Sequence, residues 1–274
     1  MSYLFDSSNW EWVTTGNNMR FLLEGFAINL EIAAIAIVFS LIFGLLLALA
    51  RISKLRPLSI VAGIWVDVWR NLPLIFVILY MAIAMPTSWR DAYEEVVPSF
   101  FPEALQSGRV LAALLALVLY NSAVLAEIMR SGILSLERGQ TEAAASLGLT
   151  YRQQMRFVVL PQGLRRMVPA TVSQLITLNK DTTLVSIIAI QEVMSAGSIL
   201  SSFNFFGGVP APVLQVFIVV GAFFVVVNLV LSRLSRRLEI RERQRTGTTL
   251  RRVGGLEDQV AAESDVELAG ESER

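Results

Sequence analysis

The residues best able to do chemistry in this sequence are an adjacent charged pair, Lys180 and Asp181, inside an otherwise uncharged stretch from Met167 to Ile190. Asn179, Thr182 and Thr183 flank the pair and add hydrogen-bonding capacity. A charge at the centre of a bilayer costs about 3 kcal/mol or more on insertion scales, so this pair should face an aqueous cavity or a partner group. Successive residues on a helix point about 100° apart, so Lys180 and Asp181 need not neutralise each other. Together they could meet a solute carrying one carboxylate and one ammonium as it passes. The structural alternative is an inter-helix ion pair, for example with Glu31 or Glu192, that fixes packing.

Two further pairs stand at i, i+3 spacing, Glu127 with Arg130 and Asp67 with Arg70, and each can close on one helix face. The Glu127–Arg130 pair reads as a helix-end salt bridge. Tyr120, Asn121 and Ser122 interrupt an apolar run; they could hydrogen-bond between helices or line a path. There is no His and no Cys. That removes disulfides, His or Cys zinc sites, haem ligation by His, and Ser–His–Asp or Cys–His catalysis. A Ser–Lys or paired-Asp enzyme would remain, but Lys180 and Asp181 have no convergent partner in sequence. No GxxxxGK[ST] stretch is present, so the chain cannot build a Walker phosphate cradle and should not hydrolyse ATP itself. No metal site and no nucleic-acid partner is expected.

The elements that must position these residues are membrane spans. The chain has 274 residues, 54% hydrophobic and 17% charged, with 23 basic and 23 acidic residues. A spanning helix needs about 20 mostly apolar residues. Five stretches qualify: 32–50, 71–88, 110–126, 167–190 and 211–232. They are too long for barrel strands and do not alternate, so the expected fold is all-α, a polytopic bundle of about five transmembrane helices. The first residues lack a basic n-region and do not resemble a cleavable signal peptide. Trp10 and Trp12 could sit at an interface or belong to a short polar arm. If the N-terminus lies outside, the inside segments carry 18 Lys and Arg and the outside segments 3, the split expected from the positive-inside rule. The C-terminus is then cytoplasmic. The chain divides into an extracytoplasmic arm at 1–20, a membrane domain at 21–240 and a tail at 241–274, basic and then acidic, that reads as disordered.

The inside loop at 131–166 is patterned. ERGQTEAAASLG reads as a short helix stopped by Gly148. TYRQ, Thr150 to Gln153, matches a capping box opening a second helix that should end near Leu160, ahead of Pro161. Ala143, Ala144 and Ala145 make the first helix slim, and Glu142 could pair with a basic rim. Such a helix either enters a groove on another protein or lies on the bundle as a connector.

The ordered set EAA, Gly148 and Leu160-Pro161, within Ala126 to about Val193, resembles the permease subunit of ATP-binding-cassette (ABC) importers for polar amino acids. Weaker likeness lies in LLEGFAINLEI (22–32), LALARIS (47–53) and WRNLPL (69–74), and the nearest subgroup is the glutamate, aspartate and glutamine type. The resemblance implies a type I ABC importer permease fold in a bacterial cytoplasmic membrane. It implies that Glu142, Ala143, Ala144 and Gly148 couple to a cytoplasmic ATPase dimer, which would hold the ATP and Mg, with no cofactor in this chain. It also implies a second permease subunit, identical or homologous, and an extracytoplasmic amino-acid-binding protein, in a setting of membrane lipid. Asn179, Lys180, Asp181 and Thr182 would line the translocation path for glutamate or a related acidic amino acid or amide. Alternatives are a permease for basic or other polar amino acids and, remotely, a non-pumping channel or a membrane enzyme. Asn71 and Leu72 depart from the Gly-Thr expected before Pro73, which leaves their role open.

Overall fold

The structure, a computed structural model, describes residues 6–136, 138–202 and 211–245. Residues 203–210, between the fourth and fifth expected spans, and the expected tail beyond 245 lie outside these residues. Among the described residues every regular element is helical. Three helices are each long and apolar enough to cross a membrane, and five spans result if two bent pairs each count as one.

The first long helix, α1 (Asn18–Arg51), has 34 residues and so runs about 51 Å, well beyond a hydrocarbon core of about 30 Å. Its apolar residues lie on all sides, the pattern of a helix set in lipid. It begins earlier than Ile32 and takes in Glu24, which pairs with Arg20 at 2.7 Å. Ahead of it, Trp12 is buried in a cluster with Leu22, Phe26, Val193 and Val216, so this tryptophan packs on the bundle.

The second expected span, 71–88, is not one straight helix. It is replaced by α2 (Arg56–Asn71) and α3 (Leu74–Ala84), which meet at 101°. The cause is local. Pro73 has no N–H to give a helix, and its ring disfavours helical backbone at the preceding residue; Leu72 is extended, with φ −78° and ψ 139°. With 11 residues, α3 is about 16 Å long and cannot cross alone. The amphipathic α4 (Thr87–Val96) is stapled back: Arg90 donates to the Ala82 carbonyl, and the Tyr93 hydroxyl donates to Leu105 O at 2.9 Å.

The helix α5 (Gly108–Leu134) forms the centre, packed on α1, α2 and α3. Its buried face is rich in alanine, including Ala112, Ala113, Ala116, Ala123 and Ala126. Small residues let backbones approach: a Cβ on Gly44 of α1 would stand 3.0 Å from the Leu125 Cβ.

After α6 (Arg138–Ser146), the segment Tyr151–Gln154 opens a π-helical turn at Met155–Val159 that leads straight into α7 (Leu160–Asp181). The second elbow helix therefore does not end before Pro161. The wide turn is the reason: Leu160 N–H bonds to the Met155 carbonyl five residues back, so the ring of Pro161 is admitted where an α-turn would clash. A 3₁₀ stretch at Thr182–Ile188 continues α7. The chain then bends by 51° into α8 (Val193–Ser202), which occupies part of what reads in sequence as outer loop. The last helix, α9 (Val213–Arg245), covers the first residues of the expected tail.

Candidate functional site

The elbow is closed by its backbone. Leu149 N–H donates to Ala144 O at 3.3 Å and Gly148 N–H to Ala145 O at 2.9 Å, the two bonds of a Schellman stop. Gly148 occupies the left-handed region with φ +76°, and a Cβ there would meet nothing within 4 Å. The requirement at Gly148 is thus dihedral, not steric. The next helical turn is opened by Thr150, whose N–H donates to Gln153 Oε1 at 2.8 Å, completing the capping-box reach expected from TYRQ. Ala144 is 3% exposed, whereas Glu142, Ala143 and Leu147 are exposed. One face of α6 therefore lies against the second arm of the elbow, and the opposite face is open. Gln162 Nε2 reaches Gln140 Oε1 at 3.3 Å and Arg166 Nη1 donates to Ser135 O at 2.9 Å, so α7 holds the elbow from beneath.

Behind the elbow stands a charge network. Glu127 and Arg130 pair at 2.5 Å, and Asp67 and Arg70 at 3.8 Å, as their spacing requires. Sequence reasoning missed the residue that joins them. Arg51, at the end of α1, lies 2.6 Å from Glu127 and 3.3 Å from Asp67. One guanidinium thus ties α1, α2 and α5 together. LALARIS held the signal, an arginine closing the charge-free stretch 32–50, but its partners lie 16 and 76 residues away.

The midspan residues Asn179 to Thr182 divide by direction. Asn179 and Thr182 are buried, 1% and 0% exposed. Asn179 Nδ2 donates to Asn228 Oδ1 on α9 at 3.2 Å, and the Thr182 hydroxyl donates to Asn179 O at 2.7 Å. Lys180 is exposed and Asp181 half-buried. Neither makes a salt bridge among the described residues, so the alternative ion pair with Glu31 or Glu192 is not formed within the chain. The carboxylate of Glu192 is instead engaged by Asn29 at 2.9 Å and by the Ser195 N–H at 2.9 Å. Asn121 of the Tyr120–Ser122 group accepts from Gln174 Nε2 at 2.8 Å, joining α5 to α7. Asn29, Gln174 and Asn228 were not foreseen as parts of this cluster, and Glu192 reads in sequence only as an ion-pair partner, although a lone amide in an apolar run is a signal that it bonds across helices. Two surfaces thus stand out: an open α6 face, and a face of α7 bearing two unpaired charges.

Comparison with known proteins agrees with this architecture. Residues 13–244 match the family model described as a binding-protein-dependent transport system inner membrane component. The chain is 37% identical over 225 residues to the probable glutamine ABC transporter permease protein GlnP of Bacillus subtilis (strain 168), covering 82% of this chain and 95% of that one. It is 32% identical over 193 residues to the glutamate/aspartate import permease protein GltK of Escherichia coli O6:H1, covering 69% of this chain and 81% of that one. Among solved structures, the crystal structure of an amino acid ABC transporter with histidines superposes with a TM-score of 0.68 at 26% identity, covering 84% of this chain and 98% of that one.

Proposed function

The chain belongs to the family of binding-protein-dependent transport system inner membrane components and is a permease subunit of an amino-acid ABC importer of a bacterial inner membrane, a transport component and not an enzyme; on that premise we propose that it moves glutamate or a related acidic amino acid or its amide. The observation that carries this substrate reading is the 37% identity over 225 residues to a probable glutamine permease, joined by the likeness to a glutamate/aspartate permease.

The geometry supports a division of labour. The open face of α6, with Glu142 and Ala143 outward and Ala144 and Gly148 fixing its pose, is the docking element for the ATPase that an ABC system entails. Asn179 to Thr182 supply the path. The Lys180 ammonium suits a solute carboxylate and the Asp181 carboxylate suits an α-ammonium, while Asn179 and Thr182 hold the backbone between them. A second permease subunit completes the cavity around the unpaired face of α7. The N-terminus lies outside and the C-terminus inside, a reading supported by the 18 against 3 distribution of Lys and Arg. An external binding protein delivers the amino acid, ATP binding turns the bundle outward, and hydrolysis resets it.

The test is uptake of labelled glutamate, glutamine, aspartate and arginine by proteoliposomes holding the complete transporter with ATP inside. Uptake of the acidic amino acids or their amides in preference to arginine is expected. Preference for arginine would assign the basic class instead, and equal leakage without ATP would return the channel reading.

A further inference from the structure

The break between α7 and α8 is irregular backbone, and its buried polar groups need partners inside the protein. Ala189 turns the chain in the left-handed region, with φ +57°. Its N–H bonds to Ser186 O at 2.9 Å, and its carbonyl accepts from Arg109 Nη1 at 3.2 Å. Further along the link, Val193 N–H donates to Asn29 Oδ1 at 3.1 Å. The other end of the same amide donates twice, to Thr182 Oγ1 at 3.1 Å and to Glu192 Oε2 at 2.9 Å. Glu192 spends its second oxygen on Ser195 N–H at 2.9 Å, capping α8. Asn29, Thr182 and Glu192 are each 0% exposed. One turn before Asn29, α1 lies directly on the link: a Cβ at Gly25 would stand 3.0 Å from Val193 N.

This arrangement fixes the direction of the charged pair. Thr182 follows Asp181 and is held inward by Asn29. Asn179 precedes Lys180 and is held inward by Asn228. With both flanking residues pinned to the bundle, the roughly 100° step of the helix turns the two charges between them to the other side. We infer that Asn29 and Glu192 form a clamp of positioning residues that sets how Lys180 and Asp181 are presented to the translocated amino acid. The clamp acts from α1 on a site in α7 and rests on the reading of Lys180 and Asp181 as path residues.

The test uses the complete transporter in proteoliposomes. The chain has no Cys, so Asp181→Cys introduces a thiol unique to this subunit, whose reaction with a charged, water-soluble thiol reagent is read as a mass shift. In otherwise native background the thiol should react. Adding Asn29→Leu should change its labelling rate by about tenfold, the scale set by losing a hydrogen bond to a charged group. Without the Cys substitution, Asn29→Leu should raise the KM for uptake by a similar factor while the ATPase still co-purifies. Asn29→Asp sets a second carboxylate against Glu192 and should raise KM further. Asn29→Asp combined with Glu192→Gln restores a donor facing an acceptor and should recover most of the loss.

A thiol that never reacts removes the path reading, and the clamp's role goes with it. A reactive thiol whose rate ignores Asn29→Leu overturns the clamp alone and leaves the path reading intact. If Asn29→Leu does not assemble, the comparison of Asn29→Asp with and without Glu192→Gln decides; no recovery overturns the proposal.

Discussion

Arg51 Nη1 stands 2.6 Å from Glu127 Oε2, so the last residue of α1 is tied to a carboxylate most of the way along α5. The same guanidinium turns its second nitrogen to Asp67 at 3.3 Å, on a helix that the Pro73 bend swings out of line with its successor. The side chains of Arg51 and Glu127 are only 20% and 22% exposed, which shields this pair more than a surface bridge. The bend of the second span is thus set by its own proline and braced on the α2 side of that bend by an ion network.

Arg51→Met should therefore destabilise the complex by about 1–3 kcal/mol, since it leaves Glu127 and Asp67 each with a single cationic partner. Arg51→Lys should recover only part of that, because an ammonium cannot reach both carboxylates in the fork geometry of a guanidinium. Thermal melting of the purified transporter in nanodiscs measures both. Equal melting temperatures for native, Met and Lys forms would show that the network contributes nothing.

Gly148→Ala should cost about 1–2 kcal/mol in the elbow, the penalty of left-handed backbone for a residue with a Cβ. Gly148→Val should cost more, and Gly148→Asn less. Nothing surrounds the missing Cβ, so the damage should be confined to the pose of α6. The expected outcome is loss of ATPase co-purification and of uptake in the order Val, Ala, Asn, with the subunit still inserted and folded by proteolysis of membranes. A Gly148→Val transporter with full ATPase association would remove the coupling assignment.

How far the sequence could be read depended on distance along the chain. Gly148, Thr150 with Gln153, Glu127 with Arg130, and Asp67 with Arg70 act within a few residues, so local spacing was enough to place them. The apolar stretches announced the spans because insertion into lipid is a property of composition. What hydropathy could not carry was direction. Asn29 meets Glu192 across 163 residues and Asn179 meets Asn228 across 49, and such pairings leave no periodic trace. The helix running through Pro161 was hidden for another reason: a proline predicts a helix boundary unless a π-turn makes room for it, and nothing in MRFVV marks one.

Lys180→Ala and Asp181→Ala should alter uptake without loss of assembly, because both side chains lie outside the buried network that holds α7. If Lys180 meets a carboxylate common to every amino acid, Lys180→Ala should raise KM for glutamate and glutamine alike. If it meets the side-chain carboxylate, the rise should fall on glutamate and spare glutamine, the difference being about tenfold for one charge-assisted hydrogen bond. Uptake kinetics unchanged in both variants would take these residues out of the path.

Gly163 tests the crossing beneath the elbow. A Cβ on Gly163 of α7 would lie 2.9 Å from the Ile133 Cα on α5, a backbone atom that cannot swing aside. Gly163→Ala should force the two helices apart, at about 1–3 kcal/mol for overpacking. The gap would open where α5 and α7 carry the two ends of the elbow, so ATPase coupling should weaken along with stability. Gly221→Ala on α9 is the matched control: its Cβ meets nothing within 4 Å, and alanine there gains up to about 1 kcal/mol of helix propensity. Melting temperature should fall for Gly163→Ala and hold or rise for Gly221→Ala, and only the first should lower the ATP-driven uptake rate. A Gly163→Ala transporter as stable and as active as the native one would mean that α5 and α7 do not cross this closely in the assembled permease.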